Sequence, residues 1–352
     1  MPSVTYKSKL VLKEKIIDGY LTVSDGTIAY VGEDRPSAEY VEIKNGYIAP
    51  GFIDIHCHTA NSMLAGEDPI AAANFHLNHG TTTLLLSYYR DIPHRELIEC
   101  LNKTKEAMKV CKNLYGAHLE GPYLNANLGF GQGTNDSPDK EKYDEYIKTG
   151  IVRQWTSAPE IKGVPEFIGD IASHGIIPAI GHSGATYDEV KAAYDNGARI
   201  VTHIFDATKA PESKYVGTLE VDFNEACMLM DDMYYEVICD SLWIHVRKAK
   251  FELLLKTVGV DRIVAITDMS ASPSEDGLDV NIVDGLLSGT SLTQDRVALN
   301  LYNAGYCLPD VFKMTSLNPA KALRLSDRGE IAVGKRADLI VIDENAKLVK
   351  VL

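Results

Sequence analysis

The pattern of hydrophobic and polar residues differs between the two ends of the chain and its middle. Near the N-terminus, turn-forming pairs such as Asp25-Gly26 and Asn45-Gly46 separate short apolar or β-branched runs at 21–23, 27–31 and 41–43. The C-terminal segment shows the same pattern, with an apolar run at 339–343. Runs of this length between turn residues are typical of short strands. Because domain termini often lie close together, we predict that residues 1–48 and 326–352 form one small β-domain of the β-sandwich type.

The middle of the chain alternates between buried-type strands and helical patterns. Eight apolar runs have the length of buried strands, and they lie at 51–56, 82–87, 114–120, 152–158, 176–182, 199–203, 235–239 and 262–268. Helical patterns separate most of them, as at 95–111, 187–196 and 246–258. This alternation is typical of a parallel sheet covered by helices. Eight such units predict an α/β fold, a (β/α)₈ TIM-type barrel over residues 49–325, with an open doubly wound sheet as the alternative.

Side chains that can bind a metal stand at the ends of five of the eight predicted strands. They are His56 and His58 at strand one, Glu120 at strand three, His182 at strand five, His203 at strand six and Asp268 at strand eight. Because the carboxyl ends of barrel strands meet at one face, these side chains are expected to converge. Four imidazoles with two carboxylates suit Zn²⁺, Fe²⁺ or Mn²⁺. The sequence therefore predicts a metal centre.

The spacing of His56 and His58 adds to this prediction. Residues two apart on a strand share a face, so both imidazoles are expected inside the barrel, with Cys57 pointing away as an inert thiol. The alternative role for Asp268 is the N-cap of a following helix. His76 has no comparable set of partners, and we interpret it as a helix-surface or helix-end residue.

Charge and cysteine content narrow the classes of function. The chain carries 35 basic and 49 acidic residues, a formal net charge of −14. This balance disfavours binding to nucleic acids or anionic membranes, which requires a basic surface. The six cysteines form no C-x-x-C pair and are read as reduced thiols. With no signal-peptide pattern and no apolar run of about 18 residues, the predicted location is the cytoplasm.

Several short motifs together resemble one known family. They are PGFIDIHCH at 50–58, HLEGPY at 118–123, APE at 158–160, GHS at 181–183, THIF at 202–205, NPA at 318–320 and GKRADL at 334–339. This set is similar to the N-acetylglucosamine-6-phosphate deacetylases of the amidohydrolase superfamily, and the resemblance runs nearly end to end. The LEGP element at 119–122 is its most specific part.

The resemblance implies a catalytic arrangement. Glu120 would hold the better-occupied metal position with His182 and His203, and His56 and His58 would offer a second position. The centre would therefore bind one or two divalent ions. Strand four, residues 152–158, has no lysine that could serve as the carbamylated bridge of other amidohydrolases, which favours Glu120 as the bridge. Asp268 would be both a ligand and the catalytic group that takes a proton from water and gives it to the departing amine.

Substrate recognition departs from the family pattern. Asp206-Ala207 stands where the family has Asn-Ala, Lys214 where it has a phosphate-binding arginine, and Trp243 where it has a phosphate-binding histidine. The family's Gly-Ala-His element corresponds to residues 129–131, with the sequence GFG. We predict that Asp206, Ala207, Lys214, Trp243 and His245 contact the substrate. A dianionic phosphate is best held by arginine or several charge-assisted donors, so these substitutions predict weaker dependence on a 6-phosphate.

The resemblance implies hydrolysis of the N-acetyl amide of an amino sugar, with release of acetate, by an enzyme that is a homodimer. Two alternatives remain. One is an amidohydrolase acting on another amide, such as an N-acyl amino acid, a cyclic amide or an aminated purine. The other is a non-catalytic barrel, although such a protein is expected to lose metal ligands and this chain keeps all of them.

Overall fold

The computed structural model describes residues 3–60, 63–129, 135–213, 215–271 and 278–352. Lys214, one of the predicted substrate-binding residues, lies outside the described residues. So do Phe130 and Gly131 of the GFG element.

The secondary structure of the described residues consists mainly of alternating strands and helices. The strands are β1 (Val4–Val11), β2 (Ile16–Ser24), β3 (Thr27–Gly32), β4 (Tyr40–Pro50), β5 (Phe52–Asp54), β6 (Thr59–Ala60), β7 (Met63–Leu64), β8 (Thr81–Tyr88), β9 (Leu114–Glu120), β10 (Val152–Ser157), β11 (Ile177–Ile180), β12 (Ile200–Val201), β13 (Tyr234–Ile238), β14 (Ile263–Ile266), β15 (Val280–Val283), β16 (Leu286–Thr290), β17 (Leu339–Asp343) and β18 (Leu348–Val351). The helices are α1 (Pro69–Asn78), α2 (His94–Ala107), α3 (Lys140–Lys148), α4 (Val164–Ser173), α5 (Tyr187–Asp195), α6 (Phe223–Met228), α7 (Lys248–Val258), α8 (Gln294–Asn303), α9 (Leu308–Phe312) and α10 (Asn318–Ala322). Short 3₁₀ and π-helical turns occupy Val260–Arg262 and Lys313–Leu317.

The central sheet has eight strands in the order β5-β8-β9-β10-β11-β12-β13-β14, and every neighbouring pair in it is parallel. Its two outer strands meet just past their ends. There, Asp268 N donates to His56 O and His58 N donates to Met269 O, each at 3.0 Å. The predicted barrel is therefore confirmed, and each of the eight predicted strands overlaps an observed one.

Alternate residues of the barrel strands pack into two apolar clusters, as the period of two for side chains requires. On β14, Ile263 and Ala265 belong to the larger cluster, which contains helix residues such as Phe251. Val264 and Ile266 belong to a second cluster made mainly of residues from the other barrel strands. Burial on both faces explains why these strands are continuous apolar runs.

The two ends of the chain form a six-stranded sheet in the order β18-β17-β4-β1-β2-β3. β17 pairs antiparallel with β4, and β4 pairs parallel with β1, so this sheet combines N-terminal and C-terminal segments. Its own apolar cluster includes Leu10, Leu21, Ile28, Ile48 and Leu339. β4 runs to Pro50 and leads directly into β5, which links the terminal sheet to the first strand of the barrel. No helix in the described part of the chain is both long and apolar enough to cross a membrane.

Candidate metal centre and active site

The predicted ligands stand at or just past the carboxyl ends of the barrel strands. Glu120 is the last residue of β9, whereas His56, His182, His203 and Asp268 each follow their strand by two residues. His182, His203 and Asp268 have φ angles of 48°, 25° and 44°. Non-glycine residues rarely adopt this left-handed region, and such strain concentrates at functional sites. The backbone therefore turns sharply at three of these positions.

The Glu120 carboxylate lies at the middle of the group. Its Oε1 is 2.9 Å from His182 Nε2 and 3.0 Å from His203 Nε2. Its Oε2 is 3.2 Å from His58 Nε2, and Oε1 is also 3.3 Å from His56 Nε2. One carboxylate thus faces four imidazoles that come from three different strand ends.

Asp268 approaches the same imidazoles from a second direction. Its Oδ1 is 3.4 Å from His56 Nε2 and 3.5 Å from His58 Nε2. The donor atoms of the six predicted ligands form two groups, His56–His58–Asp268 and Glu120–His182–His203. The helix that follows β14 in the described chain is α8, which begins at Gln294 with Thr293 as its N-cap. Asp268 is therefore not a helix N-cap.

The donor set fits a divalent cation. His56 Nε2 and His58 Nε2 are 3.1 Å apart, and His182 Nε2 and His203 Nε2 are 3.0 Å apart. Two imidazole nitrogens so close cannot both carry a proton aimed at the other without repulsion. A cation between them and the adjacent carboxylate satisfies both lone pairs, and imidazole with carboxylate is a ligand set of Zn²⁺ and related metals.

The electrostatic environment of the centre also favours positive charge at the imidazoles. Burial lowers the pKa of His56, but the nearby charges of Glu120 and Asp268 outweigh it and hold that pKa well above its usual value. The pKa of His203 is raised to about 9, since contact with Glu120 outweighs burial. The pKa of Glu120 is well below its usual range because the charge of His56 and contacts with His182 overcome burial. The carboxylates therefore stabilise a proton, or a metal ion in its place, at the imidazoles.

These shifts predict an unusual pH dependence for the metal-free protein. His203 has a folded pKa of about 9 against an ordinary 6.5, so its stabilising contribution is complete below pH 6.5 and is lost as the pH rises through about 9. The raised pKa values of His56 and His58 act in the same direction. We expect the melting temperature of chelator-treated protein to fall over this range, measured by circular dichroism. Metal-loaded protein serves as the control, since its imidazoles are already deprotonated. If the melting temperature depended on pH in the same way in both forms, the expectation would be contradicted.

A further buried histidine, His118, lies beneath the centre, and no role was assigned to it from the sequence. His118 lies between Ser87 Oγ and Thr156 Oγ1, at 2.9 and 2.8 Å. Burial and the neighbouring imidazoles hold its pKa well below the usual value. His118 is thus held by two hydroxyls beneath His56, whose ring centroid is 4.5 Å away.

Cys57 and His76 form a separate buried pair behind the centre. Cys57 Sγ is 3.1 Å from His76 Nε2, and both atoms are close to the carbonyl oxygen of Thr59. His76 lies in the last turn of α1 but is fully buried. Of the two positions considered for His76, the helix end is the observed one, and the helix surface is wrong because the buried imidazole ties α1 to the strand end that carries His56 and His58.

An aromatic ring covers the imidazole of His58. Tyr89 follows β8, and its ring stacks on His58 with centroids 3.7 Å apart and planes 2° apart. The Tyr89 ring borders a cavity of about 60 Å³ over the centre, which Glu120, His182, His203 and Asp268 also line. It also borders a cavity of about 260 Å³ on the side of Arg90 and Leu124, and Glu120 and His182 reach into this second space as well.

The predicted substrate residues divide into two groups. Asp206 and Ala207 line the small cavity beside His203. Trp243 instead packs on Phe251, 5.1 Å between ring centroids, and beneath the Lys248 ammonium at 4.5 Å. His245 is buried, with Nδ1 3.4 Å from the Asp240 carboxylate. The structure therefore brings Asp206 and Ala207 to the centre, whereas Trp243 and His245 do not line the cavities over it.

A glycine permits the close approach of one loop to a ligand. Gly129 has a φ of 78°, and a Cβ atom at this position would lie 2.4 Å from His182 Nδ1. The adjacent Leu128 carbonyl oxygen is 3.3 Å from the same nitrogen. Any larger residue at 129 would displace the His182 ring, so the glycine is required by the geometry of the centre.

The barrel and this cluster define the class of protein. Residues 47–352 match the Amidohydrolase family, and the chain belongs to that family of hydrolytic enzymes. The chain is 26% identical over 93% of its length to the N-acetylglucosamine-6-phosphate deacetylase of Lysinibacillus sphaericus, covering 89% of that protein. It is 27% identical over 96% of its length to the Bacillus subtilis enzyme of the same name, covering 91%. A solved structure of a mutant N-acetyl-D-glucosamine-6-phosphate deacetylase from Mycobacterium smegmatis, in complex with N-acetyl-D-glucosamine-6-phosphate, superposes with a TM-score of 0.88 at 26% identity. This match covers 100% of the present chain and 98% of the other.

Proposed function

We propose that this protein hydrolyses the N-acetyl amide of an amino sugar and releases acetate. The observation that carries the proposal is the placement of Asp268. Its carboxylate lines the cavity over the centre and lies within 3.5 Å of two imidazole nitrogens, next to the Glu120 carboxylate. A carboxylate so placed, in a chain similar throughout to amino-sugar deacetylases, suits proton transfer during amide hydrolysis.

The centre is proposed to hold one or two divalent ions of Zn, Fe or Mn. Glu120, His182 and His203 would hold one ion, and His56 and His58 would hold the other with Glu120 between them. A divalent ion held by these residues would supply activation of a water molecule and polarisation of the amide carbonyl group. The short distances from Glu120 to all four imidazoles support this assignment.

Asp268 is proposed to move the proton. Its carboxylate takes a proton from the attacking water and gives it to the amide nitrogen as the carbon–nitrogen bond breaks. In the metal-free protein the charge of His56 and contact with His58 outweigh burial and hold the pKa of Asp268 below its usual value. A divalent cation in the loaded centre would supply the same positive charge and keep the carboxylate ionised at the start of the cycle. Residues that line the same cavity, such as Asp206 and Ala207, are proposed to contact the substrate.

The experiment that tests this function is a paired measurement of acetate release from N-acetylhexosamines with and without a 6-phosphate. We expect deacetylation in both series, with kcat/KM favouring the phosphorylated sugar by less than about a thousandfold, or roughly 4 kcal/mol. The physical reason is Asp206, whose negative charge lines the cavity and opposes an anionic substrate.

The matched variant for this test is Asp206→Asn, which removes the charge and keeps the size. It should raise kcat/KM for the phosphorylated sugar relative to its unphosphorylated partner by about ten- to a hundredfold, since an interaction with one charged group is worth about 1.5–3 kcal/mol. N-acyl amino acids and cyclic amides complete the panel. Turnover of these alone, with no acetate from any sugar, would overturn the proposed function.

A homodimer is proposed from an exposed apolar segment. The segment between β12 and α6 exposes Val216 and Leu219 almost completely, at 108% and 97% of their reference areas. Tyr215 is 63% exposed in the same segment. Adjacent exposed apolar side chains mark interaction sites, and a second copy of this chain would cover them.

The cytoplasm is proposed as the location of the enzyme. All six cysteines are free, and five of them are buried. Free thiols in this number are typical of a reducing compartment.

A further inference from the structure

A buried carboxylate that the proposed reaction does not use lies directly beneath the metal centre. Glu236 is on β13 and is fully buried. Its Oε2 is 3.0 Å from His56 Nδ1, the ring nitrogen that faces away from the other ligands. Glu236 does not border the cavities over the centre, and its carboxylate contacts the candidate ligands through His56.

The Glu236 carboxylate is fixed in place from a third strand. Gln154, on β10, donates from Nε2 to Glu236 Oε1 at 2.6 Å. Both carboxylate oxygens are therefore engaged, one by an amide and one by an imidazole, and both partners are fully buried. This network connects β10 and β13 with the chain just past β5, across the interior of the barrel.

The contact determines which nitrogen of His56 can bind a metal. A carboxylate at Nδ1 favours a proton on that atom, which leaves the lone pair on Nε2. Nε2 is the atom that faces His58, Glu120 and Asp268. A carboxylate partner also makes the imidazole a stronger base and a better ligand.

His56 differs in this respect from the other three imidazoles of the centre. Within the described chain, Nδ1 of His58 and Nδ1 of His203 are buried and have no hydrogen-bond partner. Nδ1 of His182 is 3.3 Å from the Leu128 carbonyl oxygen. His56 is thus the one ligand among these four that a carboxylate orients.

The negative charges of the buried carboxylates also favour a second cation at the centre. Glu120, Asp268 and Glu236 are all buried in or beneath the centre, so the site holds up to three negative charges. One divalent ion would leave one carboxylate uncompensated, and an uncompensated buried charge is strongly destabilising. A second cation at His56 and His58, either a proton or a second divalent ion, would compensate this charge.

We propose that Glu236 is a positioning residue that sets the affinity of the His56–His58 position for a second divalent ion. This inference rests on the proposed metal centre but not on the identity of the substrate. Glu236 orients His56 and strengthens it as a ligand, while the position formed by Glu120, His182 and His203 is independent of it.

The test counts bound ions and does not depend on turnover. Metal-free wild-type, Glu236→Gln and Glu236→Asp proteins are titrated with Zn²⁺ by calorimetry, and the ions retained after gel filtration are measured by elemental analysis. We expect two ions in the wild type. In Glu236→Gln, the second ion should bind about 10–100-fold more weakly while the first is unchanged, the usual cost of losing such a partner. Glu236→Asp, which restores the charge, should recover part of the affinity.

Two comparisons make the result specific. Glu252→Gln changes a remote carboxylate that accepts a hydrogen bond from Tyr306, and it should keep both ions. If Glu236→Gln does not fold, Gln154→Leu removes the amide that fixes Glu236 and should weaken only the second ion. Unchanged second-ion affinity in the folded variant would overturn the proposal, as would equal loss of both ions or a single ion in the wild type. A wild type that binds no metal would instead contradict the proposed centre itself.

Discussion

Replacing Asp268 with asparagine is expected to lower kcat by about 10²–10⁴-fold and to leave most of the bound metal in place. Asparagine keeps the size of the side chain and one oxygen, but it cannot accept the proton of the attacking water. Glu120 and the four imidazoles, which make the shortest contacts in the centre, are unchanged in this variant. Acetate release gives kcat, and elemental analysis of the same sample gives the metal content.

The matched control for this variant is Asp279→Asn. The Asp279 carboxylate accepts hydrogen bonds from Ser241 and Asn300 and does not reach the metal-binding groups, so near wild-type activity is expected. If Asp268→Asn kept more than roughly a tenth of the wild-type rate, the proton would have to pass through another group.

Replacing Glu120 with alanine should remove tightly held metal and reduce turnover to background. Glu120 belongs to the donor group with His182 and His203 and also contacts His56 and His58, so its loss removes a carboxylate from both proposed positions. Elemental analysis should show about half an equivalent or more of Zn or Fe per wild-type chain and almost none in the variant, because catalytic sites depend on about three protein ligands.

Glu252→Ala is the control for this second variant, since its carboxylate contacts Tyr306 and lies outside the centre. It should retain wild-type metal content. A Glu120→Ala protein with a full complement of metal would remove Glu120 from the ligand set and would require another bridge between the imidazoles.

The barrel was predictable because its strands are buried on both faces and therefore appear as uninterrupted apolar runs. Strands in the terminal sheet are harder to recognise. Lys7 and Lys9 interrupt the apolar pattern of β1, and β18 has only four residues. Neither strand was predicted, because each is recognisable only by its pairing within the sheet.

The convergence of the candidate ligands was predictable from one rule, the common direction of strand ends in a barrel. Their assignment as ligands remains a prediction. The supporting network was not predictable, because Glu236 and Gln154 occupy strand positions where nothing in the local sequence distinguishes a buried polar residue from an exposed one. Trp243 shows the opposite difficulty. The resemblance predicts substrate contact for this residue, and that stays a prediction, but the indole packs on Phe251 and Lys248, and this packing was not evident from the sequence.

A metal ion bound at the predicted centre would also stabilise the junction between the first and last barrel strands. Two backbone hydrogen bonds join these strand ends, and three of their four participating residues are His56, His58 and Asp268, the candidate ligands themselves. A bound ion would therefore link the two strand ends at the junction where the barrel has the least extensive ladder of backbone hydrogen bonds. Its binding free energy adds to the cost of opening there, by about 4 kcal/mol at a thousandfold excess over the dissociation constant. Amide hydrogen exchange at His58 and Asp268 should be slowed more by metal than exchange within β9 or β10, where continuous ladders already protect the backbone.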